Sequence, residues 1–179
     1  INLEAVDIRK TSYLDDLVGA EGDWDGPVIV KSDLNHGGLP ERLLTPGKTR
    51  LGGRSAGVLR RIRRLLGLPN EIRAKADYAV FPDRASIPAR RFHDGSIIQP
   101  FRSERSGSDF VLREYYFFGG IEILNKEIGP DPILTSGRQV ECRAESPPPE
   151  VRAVRDRLNL DYGKIDYGCP DGVTVVYDA

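Results

Sequence analysis

Residues 160–179 read LDYGKIDYGCPDGVTVVYDA and contain the clearest structural pattern in the chain. β-Branched and aromatic residues on both sides of Pro170-Asp171-Gly172 predict a hairpin with strands at 162–167 and 173–177. Glycine at the third position of the turn favours a three-residue loop, because that position adopts a left-handed backbone.

This predicted hairpin carries two carboxylates whose separation depends on its register. With a three-residue loop, Asp166 faces Val176, and Asp178 is its diagonal neighbour on the same face, about 7–8 Å away. A loop one residue shorter or longer would place the two acids on opposite faces. Two converging carboxylates suit a hard cation such as Mg²⁺ that is also bound by phosphate oxygens. The alternative is two acids at strand edges in solvent.

The rest of the chain predicts short strands mixed with a few helices. Strands are expected at 26–31, 78–81, 96–101 and 110–118, and a Gly119-Gly120 turn leads into another at 121–125. Helices are expected at 55–66 and at 150–158, the second preceded by Ser146 and Pro147 as its cap. Mostly antiparallel strands with few helices predict an α+β fold.

The charge is unevenly distributed, although the net charge of the chain is only −1. Residues 42–105 carry a net charge of +10, and the remainder carries −11. This asymmetry predicts an anion site that also holds a cation, or else a solvated arginine-rich surface. The predicted helix 55–66 presents four arginines, Arg60, Arg61, Arg63 and Arg64, on its polar face. They could bind phosphate or be solvated, and nucleic-acid binding is a distant alternative.

Several kinds of site are excluded by the sequence. Neither a GxGxxG motif after a strand nor a GxxxxGK[ST] loop is present, so the common nucleotide fingerprints are absent. The two histidines, His36 and His93, are too few for a histidine-rich metal site. His93 is typical of a turn, whereas His36 follows Lys31 in a loop and is the better functional candidate.

The cysteines and the apolar runs bear on the setting of the protein. Cys142 and Cys169 form no CxxC pair, so we expect a reducing, intracellular environment and no zinc site. No run approaches the roughly 20 apolar residues of a membrane span, and no secretory leader is seen, so we expect a cytoplasmic protein. The chain starts without Met and stops at Ala179 directly after a strand-like run. This pattern is typical of a piece of a longer protein.

Three parts of the sequence together resemble the ATP-grasp enzymes, a family that includes the glutathione synthetase and D-alanine–D-alanine ligase types. GPVIVK (26–31) with NHGG (35–38) resembles the lysine strand and glycine-bearing loop of that family. IIQPF (97–101) followed by DFVLR (109–113) resembles its hinge strand and arginine strand. LDYGKIDY (160–167) with DGVTVVYD (171–178) resembles its metal-binding hairpin.

The resemblance covers most of residues 8–178, and it implies two α+β subdomains with mostly antiparallel sheets that enclose a nucleotide cleft. We expect residues 1–95 to form the first, with the lysine strand, the loop and the basic helix. Residues 96–179 would form the second, with the metal-binding hairpin. The sequence departs from the family in its brief glycine loop and in its second acid, Asp178, where glutamate is usual. It also ends one residue short of the family's asparagine.

The resemblance also implies roles for individual residues. Arg113 and Lys126 would be the catalytic residues at the transferred phosphoryl group, and Asp166 and Asp178 would bind Mg²⁺. The implied ATP-binding residues are Lys10 and Lys31 at the phosphates, His36, Gly37 and Gly38 in the loop, Gln99, Pro100 and Phe101 along the adenine, Glu104 at the ribose, and Asn125 near the phosphoryl group.

The implied activity is an ATP- and Mg²⁺-dependent ligase, which activates a small-molecule carboxylate as an acyl phosphate for attack by an amine or thiol. Phosphoryl transfer needs mainly positioning and charge neutralisation, which lysines, an arginine and a bound cation would supply. The brief loop and the altered acid favour an alternative, a non-catalytic relative that binds nucleotide or a protein partner. The sequence names neither the carboxylate nor the amine, and it leaves a homo-oligomer open.

Overall fold

The structure, a computed structural model, describes residues 2–19, 24–35, 72, 75–92, 95–135, 137–143 and 146–179. Within these ranges the fold is α+β, with two mostly antiparallel sheets and one α-helix, and the predicted class is confirmed. Contacts divide the chain into two units, Val18–Pro100 and a larger unit of Ile1–Leu17 with Phe101–Ala179. None of the helices in the described ranges has the length and hydropathy that crossing a lipid bilayer requires.

The smaller unit contains a three-stranded antiparallel sheet. Its central strand β1, Val28–Ser32, pairs with β2, Ala79–Phe81, and with β3, Ser96–Pro100. Side chains alternate across a strand, so Val28 and Val30 share one face of β1. They are buried there in an apolar cluster with Ile72 and Ile87.

The larger unit contains a six-stranded sheet with the order β7-β6-β5-β8-β9, in which β4 also pairs with β5. Its strands are β4, Glu104–Ser106; β5, Asp109–Phe118; β6, Ile121–Gly129; β7, Arg138–Arg143; β8, Tyr162–Gly168; and β9, Val175–Asp178. The central strand β5 is the longest of them, and it is tied to β4, β6 and β8.

The helix α1, Pro149–Leu158, covers one face of this sheet. Apolar residues three and four apart give it a single buried stripe, formed by Val151, Val154 and Leu158. Proline fits the first turn of the helix, and Asn159 ends the helix in a left-handed conformation with φ 55°. The covered face of the sheet is buried at Tyr115, Phe117, Ile165 and Tyr167.

The N-terminal segment belongs to the larger unit because it contacts α1, β8 and β9. The Asn2 side chain donates a hydrogen bond to the Tyr162 carbonyl, and the Val6 amide donates to the Leu158 carbonyl. Further along, the Lys10 ammonium contacts Asp178. These contacts attach the first residues of the chain to its C-terminal hairpin.

The units differ from the expected division at 1–95 and 96–179. β3 pairs with β1 along its whole length, so residues 96–100 belong to the smaller unit. Residues 1–17 join the larger unit through the contacts just described.

The C-terminal hairpin forms as predicted, but its loop is longer than expected. β8 ends at Gly168 and β9 begins at Val175, with left-handed residues at Asp171 and Gly172 between them. The predicted pairing of Asp166 with Val176 is therefore wrong, because Tyr167 faces Val176. A β-bulge next to this pair places Asp166 directly opposite Asp178.

Other boundaries differ from the sequence pattern, and some predictions fall outside the described residues. The short strand β4 and the strand β7 were not predicted, and β6 extends to Gly129 rather than to Asn125. The helix α1 begins after Pro148, not at a cap formed by Ser146. The predicted helix 55–66 and the residues His36, Gly37, Gly38 and His93 lie outside the described residues.

We expect Gly168→Ala to destabilise the larger unit by about 1–3 kcal/mol, through overpacking between β8 and β9. A Cβ at this position would overlap the phenol of Tyr177, whose Cζ would be 2.9 Å away. That phenol is held in place by its hydrogen bond to the Arg102 carbonyl. The free energy of unfolding in urea measures the effect.

Gly120→Ala is the matched control, since a Cβ there would meet nothing within 4 Å. We expect it to change the free energy of unfolding by less than about 0.5 kcal/mol. Equal losses in the two variants would contradict the packing of Tyr177 on Gly168.

Candidate functional site

A row of polar side chains crosses the six-stranded sheet, one from each of four neighbouring strands. Asn125 lies opposite Glu114, Glu114 lies opposite Asp166, and Asp166 lies opposite Asp178. Directly opposite residues of antiparallel strands point to the same face of a sheet. We call these four residues the carboxylate row. The structure thus brings together the two acids predicted as metal ligands.

Two lysines neutralise part of the charge of the carboxylate row. The Lys164 ammonium is 2.7 Å from Glu114 Oε1 and 2.8 Å from Asp166 Oδ1. The Lys10 ammonium, which is fully buried, is 3.0 Å from Asp178 Oδ1. Three carboxylates and two ammonium groups give this cluster a net charge of −1.

The environment keeps Glu114 and Lys164 ionised. Burial opposes ionisation of Glu114, but hydrogen bonds from Lys164 and Asn125 outweigh it and hold the pKa of Glu114 below its ordinary value. Burial also opposes the charge of Lys164, but the negative charges of Asp166 and Glu114 raise its pKa above the ordinary value. Burial and the charge of Glu114 raise the pKa of Tyr116 to about 12, so its hydroxyl stays protonated and donates to Glu114.

Asn125 lies at one end of the carboxylate row, and its side-chain oxygen has spare hydrogen-bonding capacity. Its amide nitrogen donates to Glu114 Oε2 at 2.8 Å. Its Oδ1 is buried and accepts no hydrogen bond from the described residues. Because an unsatisfied buried acceptor is unusual, this oxygen is a candidate for contact with a bound group.

The two predicted catalytic residues lie on the other face of the sheet. Arg113 is opposite Lys126 and also opposite Tyr167. In the chain, Arg113 directly precedes Glu114, and Lys126 directly follows Asn125. Successive residues of a strand point to opposite faces of the sheet. The structure therefore does not bring Arg113 and Lys126 together with Asp166 and Asp178.

Arg113 instead binds Glu104, the residue predicted at the ribose. Its guanidinium donates to both carboxylate oxygens of Glu104, at 2.8 Å each, and the Cys169 amide donates to the same carboxylate at 2.8 Å. Burial opposes ionisation of Glu104, but these hydrogen bonds outweigh it and hold its pKa below the ordinary value. The pair ties β4 to β5 and to the start of the loop that follows β8.

The predicted site residues of the smaller unit form their own buried contact. The Lys31 ammonium donates to Gln99 Oε1 at 2.6 Å, and both side chains are buried. Pro100 is also buried at the end of β3. In the larger unit, the ring of the partly buried Phe101 packs in a tilted orientation against the ring of Phe110, with 6.3 Å between the ring centroids. The roles implied for these residues stay predictions.

A separate cleft of about 740 Å³ lies between the N-terminal segment, the β5–β6 turn and α1. It contains none of the predicted site residues. Its central carboxylate, Glu122, accepts hydrogen bonds from Tyr115, Arg152 and Arg155. These polar groups satisfy one another's hydrogen-bonding capacity. Their contacts therefore serve to hold β5, β6 and α1 together.

Two residues at this site, Lys164 and the row member Glu114, were not predicted from the sequence. Lys164 precedes Asp166 by two positions, so strand alternation alone could have placed it on the same face. Glu114 could not be found in this way, because its position depends on the register of β5 against β8, about 50 residues further along the chain. Within the described ranges, no group of three or more His, Cys, Asp or Glu side chains is arranged to hold a metal ion.

Comparisons of the chain with protein-family models, with curated proteins and with solved structures found no match.

We expect Glu104→Gln to reduce the acid sensitivity of the fold. A carboxyl whose pKa is lowered by folding contributes stability above its ordinary value of 4.5, and this contribution is lost as the pH falls through the folded pKa. The free energy of unfolding of the parent should therefore fall more steeply below this pH than that of the variant. Urea unfolding at a series of pH values measures both slopes.

Asp131→Asn serves as the control for this comparison, since Asp131 is exposed in the turn after β6. The free energy of unfolding of Asp131→Asn should fall with pH as steeply as that of the parent. Identical slopes for Glu104→Gln and the parent would contradict the contribution of the Arg113–Glu104 pair.

Proposed function

We propose that the chain is an ATP- and Mg²⁺-dependent ligase that joins a carboxylate to an amine or thiol through an acyl phosphate. The observation that carries the proposal is the pairing of Asp166 with Asp178, with Lys164 and Lys10 on the same two carboxylates. This arrangement combines oxygen ligands for a hard cation with ammonium groups suited to phosphate. The family resemblance supplies the reaction type.

The donor set of the carboxylate row suits Mg²⁺. This ion is commonly bound by one or two carboxylates, with phosphate oxygens and water completing its coordination. Asp166 and Asp178 would hold it, and the spare oxygen of Asn125 is of the same ligand type. Asp178 is partly exposed, so the end of the row can be reached from solvent. A bound Mg²⁺ would neutralise charge on the ATP phosphates.

Lys164 is better suited than Arg113 to neutralise the transferred phosphoryl group. Lys164 contacts Asp166 directly, whereas Arg113 faces the opposite side of the sheet and is bound by Glu104. We therefore propose Lys164 for the role that the resemblance alone gives to Arg113. Lys10 would act beside it, at Asp178.

The proposed reaction requires no nucleophile from the protein. A carboxylate oxygen of the substrate attacks the terminal phosphorus of ATP, and ADP leaves. The amine or thiol then attacks the carbonyl carbon of the acyl phosphate, which releases phosphate and a proton. The lysines and acids of the row bind and neutralise charge, in keeping with the electrostatic character of phosphoryl transfer.

A non-catalytic relative that binds nucleotide or a protein partner remains the second candidate. The observation in its favour is that both acids already have lysine partners, so the row is electrostatically nearly balanced without a ligand. In that case the lysines would serve the fold, and Mg²⁺ would compete with them.

We expect Mg²⁺ to increase ATP affinity, and Asp166→Asn to remove that dependence by deleting one ligand charge. We expect Lys164→Gln to weaken Mg²⁺–ATP binding at least about tenfold, the loss typical of one charged hydrogen bond. Isothermal titration with ATP, with and without Mg²⁺, measures these effects. Circular dichroism and urea unfolding establish that each variant is folded.

The control is Arg113→Gln, which removes the positive charge on the opposite face and keeps Glu104, the residue predicted at the ribose. Its ATP affinity should stay within about twofold of the parent. A loss in the control equal to that of Lys164→Gln would contradict the assignment to Lys164. ADP release with a mixture of small carboxylates and amines supports the ligase. Mg²⁺-dependent binding without ADP release supports the second candidate instead.

A further inference from the structure

Large apolar side chains are exposed on the face of the six-stranded sheet that carries the carboxylate row. Phe118 lies opposite both Ile121 and Tyr162, and Tyr116 lies opposite Ile123. Strand alternation places all of them on one face, between the row and the Gly119-Gly120 turn. We call these five residues, Tyr116, Phe118, Ile121, Ile123 and Tyr162, the apolar platform.

The apolar platform is a large surface that includes a packed pair of aromatic rings. Its residues expose between 39% and 64% of their surfaces. At about 200 Å² for each large residue, this amounts to a mainly apolar patch on the order of 500 Å². The rings of Phe118 and Tyr162 pack edge to face, with 6.0 Å between their centroids. A patch of this size on a monomer is commonly an interaction site.

We propose that the apolar platform is an interface at which a second copy of this chain docks, related to the first by a two-fold axis. A standard interface buries about 800 Å² on each partner, and homodimer interfaces are about 65% apolar. The apolar area required is thus about 500 Å² on each copy, which is what the platform offers. In a two-fold dimer the same patch meets itself, so no second surface is required.

The charges around the apolar platform fit this arrangement. Lys164 lies opposite Tyr116 at the border of the platform, and it is already engaged by Glu114 and Asp166. A two-fold axis through the platform puts the two carboxylate rows at opposite ends of the interface, so their like charges stay apart. None of the five platform residues is basic, which argues against nucleic acid or an anionic membrane as their occupant.

Sedimentation equilibrium over a range of concentrations tests the proposal. We expect the parent to show a reversible increase in mass from 19.9 kDa towards twice that value. The double variant Phe118→Asp/Ile121→Asp would bury four charges in the dimer. It should raise the dissociation constant at least about a hundredfold, and urea unfolding of the variant checks that it folds.

Val173→Asp is the matched control, because Val173 is as exposed as Phe118 but lies in the β8–β9 loop. It should dimerise like the parent. A parent that stays monomeric at all concentrations would overturn the proposal, and so would a dimer that survives in Phe118→Asp/Ile121→Asp. If that double variant is unfolded, concentration-dependent protection of amides 116–123 in the parent from hydrogen exchange decides. Protection supports the interface, and its absence overturns it.

Discussion

The pairing of β5 with β8 is the contact on which the larger unit depends. β5 is central in the sheet, and β8 connects it to the C-terminal strand β9 and, through Tyr162, to the N-terminal segment. The two strands lie about 50 residues apart in the chain, so this pairing carries a substantial cost in loop-closure entropy. The burial of Tyr115, Ile165 and Tyr167 beneath α1 offsets that cost.

The same pairing determines both faces of the sheet. A slip of β8 by one residue against β5 would turn Asp166 to the face under α1 and bring Ile165 to the face of Glu114. The apolar stripe of α1 prevents such a slip, because it can be buried only against the apolar face. The position of the charged groups therefore follows from hydrophobic packing on the opposite side of the sheet.

Local pattern was enough to predict most of the strands. The run Val28-Ile29-Val30 and the aromatic run at 115–118 are typical strand sequences, and Gly119-Gly120 marks the turn between β5 and β6. β4 could not be predicted, since Glu104–Ser106 is polar and becomes a strand only by pairing with β5. β7 was missed for a similar reason, because its polar sequence follows a region without a clear period.

The candidate site was less accessible to sequence reasoning because it depends on contacts between distant strands. The sequence indicated that Asp166 and Asp178 share a face, but for an incorrect reason. The loop is longer than the predicted one, and the bulge beside Asp166 compensates for the change of register. The separation of Arg113 from these acids follows from strand pairing, which the order of motifs along the chain does not reveal.

The energetics of the carboxylate row also bear on its purpose. Glu114, Asp166 and Lys10 are buried, and burying ionised groups has a desolvation cost that ion pairing often fails to repay. Apolar residues of similar size would commonly be as stable or more stable at such positions. Glu104 and Arg113 already provide a tie across the sheet on the other face, so cohesion alone does not require the row. A cluster of buried charges whose end opens to solvent at Asp178 is better explained by binding than by stability.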